Sequence, residues 1–237
     1  MKSSQDWLDV VANNLANVNT TAFKRDGIQF GDWMERNLRA DGGRGEIIGT
    51  MGSGPAAQDT YVTYDLGNIN DTGRQLDFAL QNPRAFFALQ GPNGETLYAR
   101  DGAFERDSSG QLVTREGLPV LDVNRNPIFL DQGTIKVDEN GNISLTPFGE
   151  EDAVEVAQIG VFFGPTEKVG RTYFRSDQMT PVDSPNLRQG SLEGSNVHPI
   201  ESMIQMISLN RSYELAQKSI STQDEQTGRL LDALRGN

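Results

Sequence analysis

The side chains best suited to chemistry in this sequence are carboxylates. Cysteine is absent and His198 is the one histidine, which excludes thiol catalysis and leaves little for a zinc site or a Ser-His triad. Clustered carboxylates could supply a glycosidase-like acid and base, and four lie close in sequence: Asp101, Glu105, Asp107 and Glu116. Alternating charges of this kind also coat the solvated face of a sheet. We therefore expect no enzyme, no catalytic residue and no cofactor.

Two acidic segments begin like calcium-binding loops, DVNRNP at 122–127 and DENGNI at 138–143. Each places oxygen-bearing side chains at the first, third and fifth positions. The sixth position of such a loop requires glycine but holds Pro127 or Ile143, and the twelfth requires glutamate but holds glycine. We predict side-chain-stabilised turns here and no metal site.

Composition and charge limit the possible partners. The 237 residues are 36% hydrophobic, with 25 Gly, 10 Pro and a net charge of −12. Residues 1–25 and 199–237 carry net charges of +1 and −1, so the acidic excess lies between them. Such a surface argues against nucleic acid as a partner. No apolar run approaches the roughly 20 residues that span a bilayer, and MKSSQDWLDV has no apolar signal core, so we predict neither membrane insertion nor a cleavable signal peptide.

The middle of the chain predicts strands. From Tyr61 to about Phe174, short apolar segments alternate with turn signals, including Asn93-Gly94, Ser109-Gly110 and Asn140-Gly141. VEVAQIGVFF, at 154–163, is the longest strand candidate. The spacing predicts an antiparallel β-rich domain over residues 60–195.

The beginning of the chain predicts a helix that is weak on its own. Leu8, Val11, Leu15 and Val18 recur at helical spacing and share one face. Asparagine is a poor helix former, yet four interrupt this segment: Asn13, Asn14, Asn17 and Asn19. We interpret Asn14 and Asn17 as hydrogen-bonding partners for another helix, although they could also face solvent on an ordinary helix.

The end of the chain predicts a much longer helix. Pro199 suits its first position, and no strong breaker follows before Leu234. Residues at alternating steps of three and four form a heptad seam, which contains two polar members, Gln223 and Thr227. The apolar members of the seam are Met206, Leu209, Tyr213, Ala216, Ile220, Leu230 and Leu234. The alternative is a long amphipathic helix packed on its own domain.

These patterns predict a mixed α and β fold. Residues 1–26 and 196–237 would form a discontinuous coiled-coil domain, which packs its two apolar faces together and serves as a self-assembly interface. Residues 27–59 are rich in glycine and predict a flexible connector, with a short helix around Trp33 to Leu38. The β-rich domain would follow at 60–195.

Several segments resemble a known family. ANNLANVNTTAFKR at 12–25 resembles the N-terminal signature of the bacterial flagellar rod and hook proteins, and residues 190–234, beginning GSLEGSNVHP, are similar to their C-terminal signature. TGRQLDFAL at 72–80 and AFFALQGPNGETLYARDGAF from Ala85 agree as well. The resemblance implies a structural subunit of the basal-body rod, located in the periplasm. It also implies terminal helices that pair in an inner layer, and export through the flagellar type III apparatus.

The motifs lean toward the proximal-rod subtype, with a distal-rod or hook-like subunit as the alternative. The implied partners are other copies of the chain, neighbouring rod and hook proteins, and the export apparatus. Ala22 and the Asn82–Arg84 turn depart from the family pattern, which usually has glycine at Ala22 and near that turn. The alternative from another class is a peptidoglycan hydrolase acting during rod assembly. The paired terminal signatures argue against a third class, a phage-tail-like fibre.

Overall fold

The computed structural model describes residues 2–32, 35–39, 47–52, 55–149 and 152–235. In chain order the elements are α1 (Lys2–Ala16), β1 (Asp26–Asp32), β2 (Glu35–Arg39), β3 (Ile47–Gly52), β4 (Pro55–Val62), β5 (Ile69–Asp71), β6 (Phe78–Leu80), β7 (Ala85–Gln90), β8 (Thr96–Ala99), β9 (Phe104–Arg106), β10 (Leu112–Thr114), β11 (Gly133–Val137), β12 (Asn142–Pro147), β13 (Val154–Gln158), β14 (Val161–Phe163), β15 (Glu167–Val169), β16 (Tyr173–Arg175), β17 (Thr180–Pro181), β18 (Leu187–Gln189), β19 (Ser191–Glu193) and α2 (Pro199–Arg235). The predicted combination of helices with an antiparallel β-rich domain is confirmed. The predicted coiled coil stays a prediction.

The chain divides into two compact units. The terminal unit comprises residues 1–16, 26–61 and 198–237, and the central unit comprises 17–25 and 62–197. The sequence prediction grouped residues 17–25 with the terminal helices. In the structure this segment belongs to the central unit, where Phe23 and Lys24 are almost fully buried.

The central unit is built on a six-stranded antiparallel sheet in the order β15-β16-β8-β7-β14-β17. A three-stranded antiparallel sheet, β11-β12-β13, and the pairs β9–β10, β6–β18 and β5–β19 complete it. The longest predicted strand, 154–163, is wrong as one element. It is divided between β13 and β14, and between them Gly160 packs so closely on the Asp122 carbonyl that a Cβ would clash.

Strand β7 shows why this region becomes sheet. Its sequence AFFALQ is buried on both faces, and alternate side chains enter different apolar clusters. Phe87 and Leu89 join one cluster, whereas Phe86 and Ala88 join the other. A short apolar run buried on both sides is the pattern expected of a central strand.

The turn predictions are confirmed. The Asn-Gly and Ser-Gly pairs connect β7 to β8, β9 to β10 and β11 to β12, and Gly94 and Gly141 adopt the left-handed φ values of 80° and 85° that favour glycine. In DVNRNP, the Asp122 carboxylate accepts a hydrogen bond from the Asn126 amide at 2.7 Å. In DENGNI, the Asp138 carboxylate accepts one from the Asn142 amide at 2.8 Å. Both segments are therefore turns stabilised by an aspartate.

The terminal unit contains α1, α2 and the first four strands. Helix α2 begins at Pro199 with Glu201 in its first turn, as predicted, and α1 lies against it. The predicted connector instead holds paired strands: β1 pairs with β4, and β2 with β3. The short helix predicted around Trp33 to Leu38 is wrong over 35–38, which lie in β2, while Trp33 and Met34 fall outside the described residues. None of the described helices is long and apolar enough to cross a membrane.

Candidate self-assembly site and its anchor

The apolar face of α1 is turned inward within the terminal unit. Val11 is 3% exposed, and Leu8 and Leu15 are half-buried. The residues share a face because they recur at steps of three and four, and α2 is the helix packed against α1. Val18 was predicted to continue this face, but it lies beyond the last helical residue and belongs to the central unit, where it is half-buried.

The side chains of Asn14 and Asn17 make hydrogen bonds to residues that follow α1. The Asn14 side chain donates to the Asp26 carbonyl at 2.8 Å and accepts from the Asp26 amide at 2.9 Å. Asn17 follows the helix, and its side-chain oxygen accepts a hydrogen bond from the Thr20 hydroxyl at 3.2 Å. Both residues are 4% exposed. These hydrogen bonds shape the turn that follows α1, and the predicted part of Asn14 and Asn17 in self-assembly stays a prediction.

The predicted seam of α2 is covered only near its start. Leu209 is 8% exposed, Met206, Tyr213 and Ala216 are half-buried, and Ile220 is 46% exposed. The side chains of Leu230 and Leu234 lie outside the described residues. With 15 residues, α1 is about 22 Å long, whereas the 37 residues of α2 span about 55 Å. The shorter helix therefore cannot cover the whole seam.

A second apolar stripe runs along the first turns of α2, on the side of the helix roughly opposite to Leu209. It consists of Ile200, Met203, Ile204 and Ile207, which are 73%, 50%, 63% and 54% exposed. These residues form a stripe separate from the seam, and clustered exposed apolar side chains of this kind mark interaction sites.

The central unit holds a buried ionic cluster, which we call the anchor: Lys24, Arg100 and Glu193. The Glu193 carboxylate accepts hydrogen bonds from Lys24 Nζ and from Arg100 Nε, each at 2.6 Å. The three residues are at most 2% exposed. Burial lowers the pKa of Lys24 and of Arg100, and the attraction of Glu193 opposes this effect in both.

Backbone groups satisfy the remaining polar atoms of the anchor. Lys24 Nζ also donates to the Asp65 carbonyl at 2.7 Å. The Arg100 guanidinium also donates to the carbonyl groups of three residues around the β6–β7 connection: Leu80, Asn82 and Ala85. The Gly67 amide donates to Glu193 at 3.0 Å, and a side chain at Gly67 would clash with the Gly194 carbonyl. Charges buried in a protein are tolerated when they are paired and hydrogen-bonded in this way.

The anchor joins the segments that adjoin the two helices in sequence. Within the central unit, the Ala22 amide donates to the Glu193 carbonyl at 2.8 Å, and the Arg25 amide donates to the Asn196 side chain at 2.7 Å. The Asn196 side chain also donates to the Thr63 carbonyl at 2.8 Å. Residues 17–25 and 191–197 are thus held to each other and to the β-rich core. Sequence reasoning missed this cluster, because Lys24 and Glu193 are 169 positions apart.

The four candidate carboxylates have structural partners instead of a common cleft. Asp101 accepts a hydrogen bond from the Thr21 hydroxyl at 2.7 Å, and burial raises the pKa of Asp101. Glu105 pairs with Arg74 at 3.6 Å. Hydrogen bonds from Ser109 lower the pKa of Asp107, which shapes the β9–β10 turn. Glu116 accepts a hydrogen bond from the Tyr173 hydroxyl at 3.0 Å.

The chain thus has a terminal helix at each end of a β-rich unit, and the C-terminal helix α2 exposes apolar side chains. Three family profiles match the chain in order. They are described as "Flagella basal body rod protein" over residues 1–24, "Flagellar hook protein FlgE/F/G D1 domain" over 82–145, and "Flagellar basal body rod FlgEFG protein C-terminal" over 188–233. The matches cover both predicted signatures and part of the central unit.

Curated relatives agree along nearly the whole length. The chain is 32% identical over 250 residues to the flagellar basal-body rod protein FlgG of Buchnera aphidicola subsp. Schizaphis graminum, an alignment that covers 97% of this chain and 95% of that protein. It is 30% identical over 253 residues to FlgG of Borreliella burgdorferi, covering 96% and 93%. It is 32% identical over 227 residues to the basal-body rod protein FlgF of Caulobacter vibrioides, covering 92% and 87%.

The chain belongs to the flagellar basal-body rod protein family. Members of this family are structural proteins, so the hydrolase and phage-fibre alternatives are dropped. The relatives bear two rod-protein names, FlgG and FlgF, at the same 32% identity, and the predicted subtype stays a prediction.

Proposed function

We propose that this protein is an axial subunit of the bacterial flagellar basal-body rod, and that it joins other copies and neighbouring rod and hook proteins through its terminal helices. The observation that carries the proposal is the exposed apolar surface of α2. Ile200, Ile204, Leu215 and Leu231 are 56–73% exposed on a single helix. Burying such side chains against a neighbour is worth about 25 cal/mol per Å² of apolar surface.

The seam is the surface on which α1 and α2 of adjacent subunits pack as a coiled coil. Leu8, Val11 and Leu15 supply the α1 face, and the seam from Met206 to Leu234 supplies the α2 face. A rod also requires a head-to-tail interface that does not close on itself, since a symmetric dimer would end growth. The two opposite apolar surfaces of α2 suit such an interface, because one helix can contact a different neighbour on each side. Many parallel helix contacts would then transmit torque together.

Export through the flagellar type III apparatus, without a cleaved signal, precedes assembly in this proposal. The distal half of α2 has little cover within the chain, and fixing a residue's backbone costs about 1–2 kcal/mol in conformational entropy. In a free subunit this part of the helix is therefore loosely ordered, which suits passage through a narrow channel. Neighbouring subunits in the rod then provide the missing contacts.

The proposal is tested by introducing a charge into the seam. Ile220→Asp should leave the β-rich unit folded but abolish incorporation into rods, because a carboxylate would be buried between helices. Leu15→Asp should do the same from the α1 side. Electron microscopy of basal bodies and a motility assay give the readout, and circular dichroism of the purified variants checks their fold.

Ser221→Asp is the matched control, since it adds the same charge one residue away on exposed surface beside the seam. Rods should form normally in this variant. Normal motility of the Ile220→Asp strain, with full-length basal bodies, would contradict assembly through the seam.

A further inference from the structure

Glu193 is the shared counterion of two cations that precede it in the chain by at least 93 positions. Lys24 and Arg100 are each 1% exposed, and both contact Glu193 at 2.6 Å. Glu193 itself lies in β19, the last strand before α2. The anchor therefore combines one residue from the beginning of the chain, one from the middle and one from near the end.

Within the described part of the chain, Glu193 is the one buried carboxylate that accepts a hydrogen bond from Lys24 or Arg100. The other hydrogen bonds of Arg100 go to backbone carbonyl groups. Lys24 also donates to a backbone carbonyl, that of Asp65. The exposed carboxylate of Asp65 attracts Lys24 more weakly than Glu193 does. The charges of Lys24 and Arg100 also repel each other. Backbone dipoles do not neutralise two buried positive charges, so the site without Glu193 would hold an uncompensated pair.

We propose that Glu193 is a latch that closes the central unit last, so that residues 17–25 dock only when residues 191–197 are in place. The latch makes burial of Lys24 depend on a residue near the other end of the chain. Until Glu193 is available, hydration of Lys24 and Arg100 keeps the N-terminal segment in solvent. Glu193 is in this sense a positioning residue for the segments that adjoin α1 and α2.

A consequence of the latch rests on the proposed function. An incomplete or partly exported chain would lack Glu193, and its N-terminal segment would not yet be attached to a folded β-rich unit. The subunit would then acquire its assembly-competent form only after nearly all of its sequence has been delivered. The latch itself is a property of the isolated protein and can be tested without any rod.

The order of closure is measured by refolding the full-length chain from urea under pulsed hydrogen exchange. The Phe23 amide donates to the Thr20 carbonyl, and the Gly194 amide donates to the Asn68 carbonyl, so neither bond spans the two segments. The latch predicts that Phe23 gains protection no earlier than Gly194. Protection of Phe23 in an earlier kinetic phase than Gly194 would overturn the proposal.

The electrostatic basis is tested with Glu193→Gln, which keeps the side-chain shape and removes the charge. In this variant Lys24 should react with an amine-acylating reagent at least tenfold faster than in the wild type, as read by mass spectrometry. Adding Lys24→Met should raise the urea midpoint of Glu193→Gln, because it removes one of the two unpaired cations. Glu167→Gln, at an exposed strand position, is the control and should leave Lys24 protected.

Two results would refute the electrostatic latch: wild-type protection of Lys24 in Glu193→Gln, or a double variant that is no more stable than Glu193→Gln. Should Glu193→Gln fail to fold, the double variant decides. A folded Lys24→Met/Glu193→Gln protein supports the latch, and an unfolded one refutes it. Rod formation enters none of these measurements, so failure of the latch and failure of the assembly proposal are distinguishable.

Discussion

The two units of this protein use their apolar residues in opposite ways. In the central unit, Phe87, Leu89 and Phe104 are completely buried and enclosed by neighbouring strands. In the terminal unit, Ile200 and Ile204 on α2 are more than 60% exposed. A closed apolar core makes a unit stable by itself, whereas an exposed apolar face gains its stabilisation from a partner. One chain thus combines a unit with a closed apolar core and a unit with an exposed apolar helix face.

The polar residues show the same contrast. The anchor in the central unit places three charged side chains in the interior, each held by short hydrogen bonds. On α2 the one ion pair among the described residues, Arg229–Glu225, is 4.0 Å apart and exposed, and exposed pairs contribute at most about 1 kcal/mol. Substitutions should therefore affect the stability of the isolated protein strongly in the central unit and weakly along α2.

The largest loss of stability is expected from Phe87→Ala. Phe87 is 0% exposed and its ring packs edge-on against Phe104 at 5.1 Å. Removing a buried phenylalanine ring costs about 3–5 kcal/mol, because a cavity remains. Urea denaturation measures the change. Phe163→Ala, in the neighbouring strand β14 but 42% exposed, should cost less than about 1.5 kcal/mol, and equal losses in the two variants would contradict a closed core.

A smaller loss, about 2 kcal/mol, is expected from Ala22→Val. Ala22 adopts a φ of 54° and is 3% exposed, so a β-branched side chain there would be both strained and overpacked. The free energy of unfolding of Ala22→Gly should stay within about 1 kcal/mol of the wild-type value. Glycine relieves the backbone strain, and this gain offsets the loss of a buried methyl group and the greater entropy of the unfolded chain. Thermal unfolding distinguishes the two. Equal effects would mean that the 17–25 segment is not held in the central unit.

Tyr173→Phe removes the hydrogen bond to Glu116 and should lower the free energy of unfolding by about 1 kcal/mol. Burial, followed by that bond, raises the pKa of Tyr173 from 10.0 to about 12. The folded state favours the neutral phenol, so the contribution of Tyr173 to the stability of the folded state is fully present below pH 10. This contribution is lost as the pH rises toward 12. Ultraviolet absorbance of the phenolate follows the titration. A titration step lost near pH 10, instead of near pH 12, on substitution would contradict the raised pKa.

The smallest effect is expected on α2. Ile204→Ser should change the free energy of unfolding of the isolated protein by no more than about 0.5 kcal/mol, because Ile204 is 63% exposed. Calorimetry measures the change at a concentration where the protein is monomeric. A loss above about 1 kcal/mol would show that this stripe is already covered in the free subunit, and the contrast between the units would weaken.

Much of the local structure could be predicted from the sequence. The Asn-Gly turns, the start of α2 at Pro199 and the aspartate turns at 122–127 and 138–143 depend on a few adjacent residues, and all were confirmed. Around Trp33 to Leu38 the same reasoning failed. Residues 35–39 form a strand because β3 pairs with them, and a partner strand is not visible in a local pattern.

By itself, the sequence determined the arrangement of helical ends around a β-rich middle, because hydrophobic periodicity and turn residues act over a few positions. Tertiary structure alone decided how distant residues meet. It brought Glu193 to Lys24 and Arg100, turned Asn14 toward the Asp26 backbone, and placed residues 17–25 in the central unit. Such contacts form only when distant segments of the chain pack together. Burial of each charge is favourable only when its oppositely charged partner is in place.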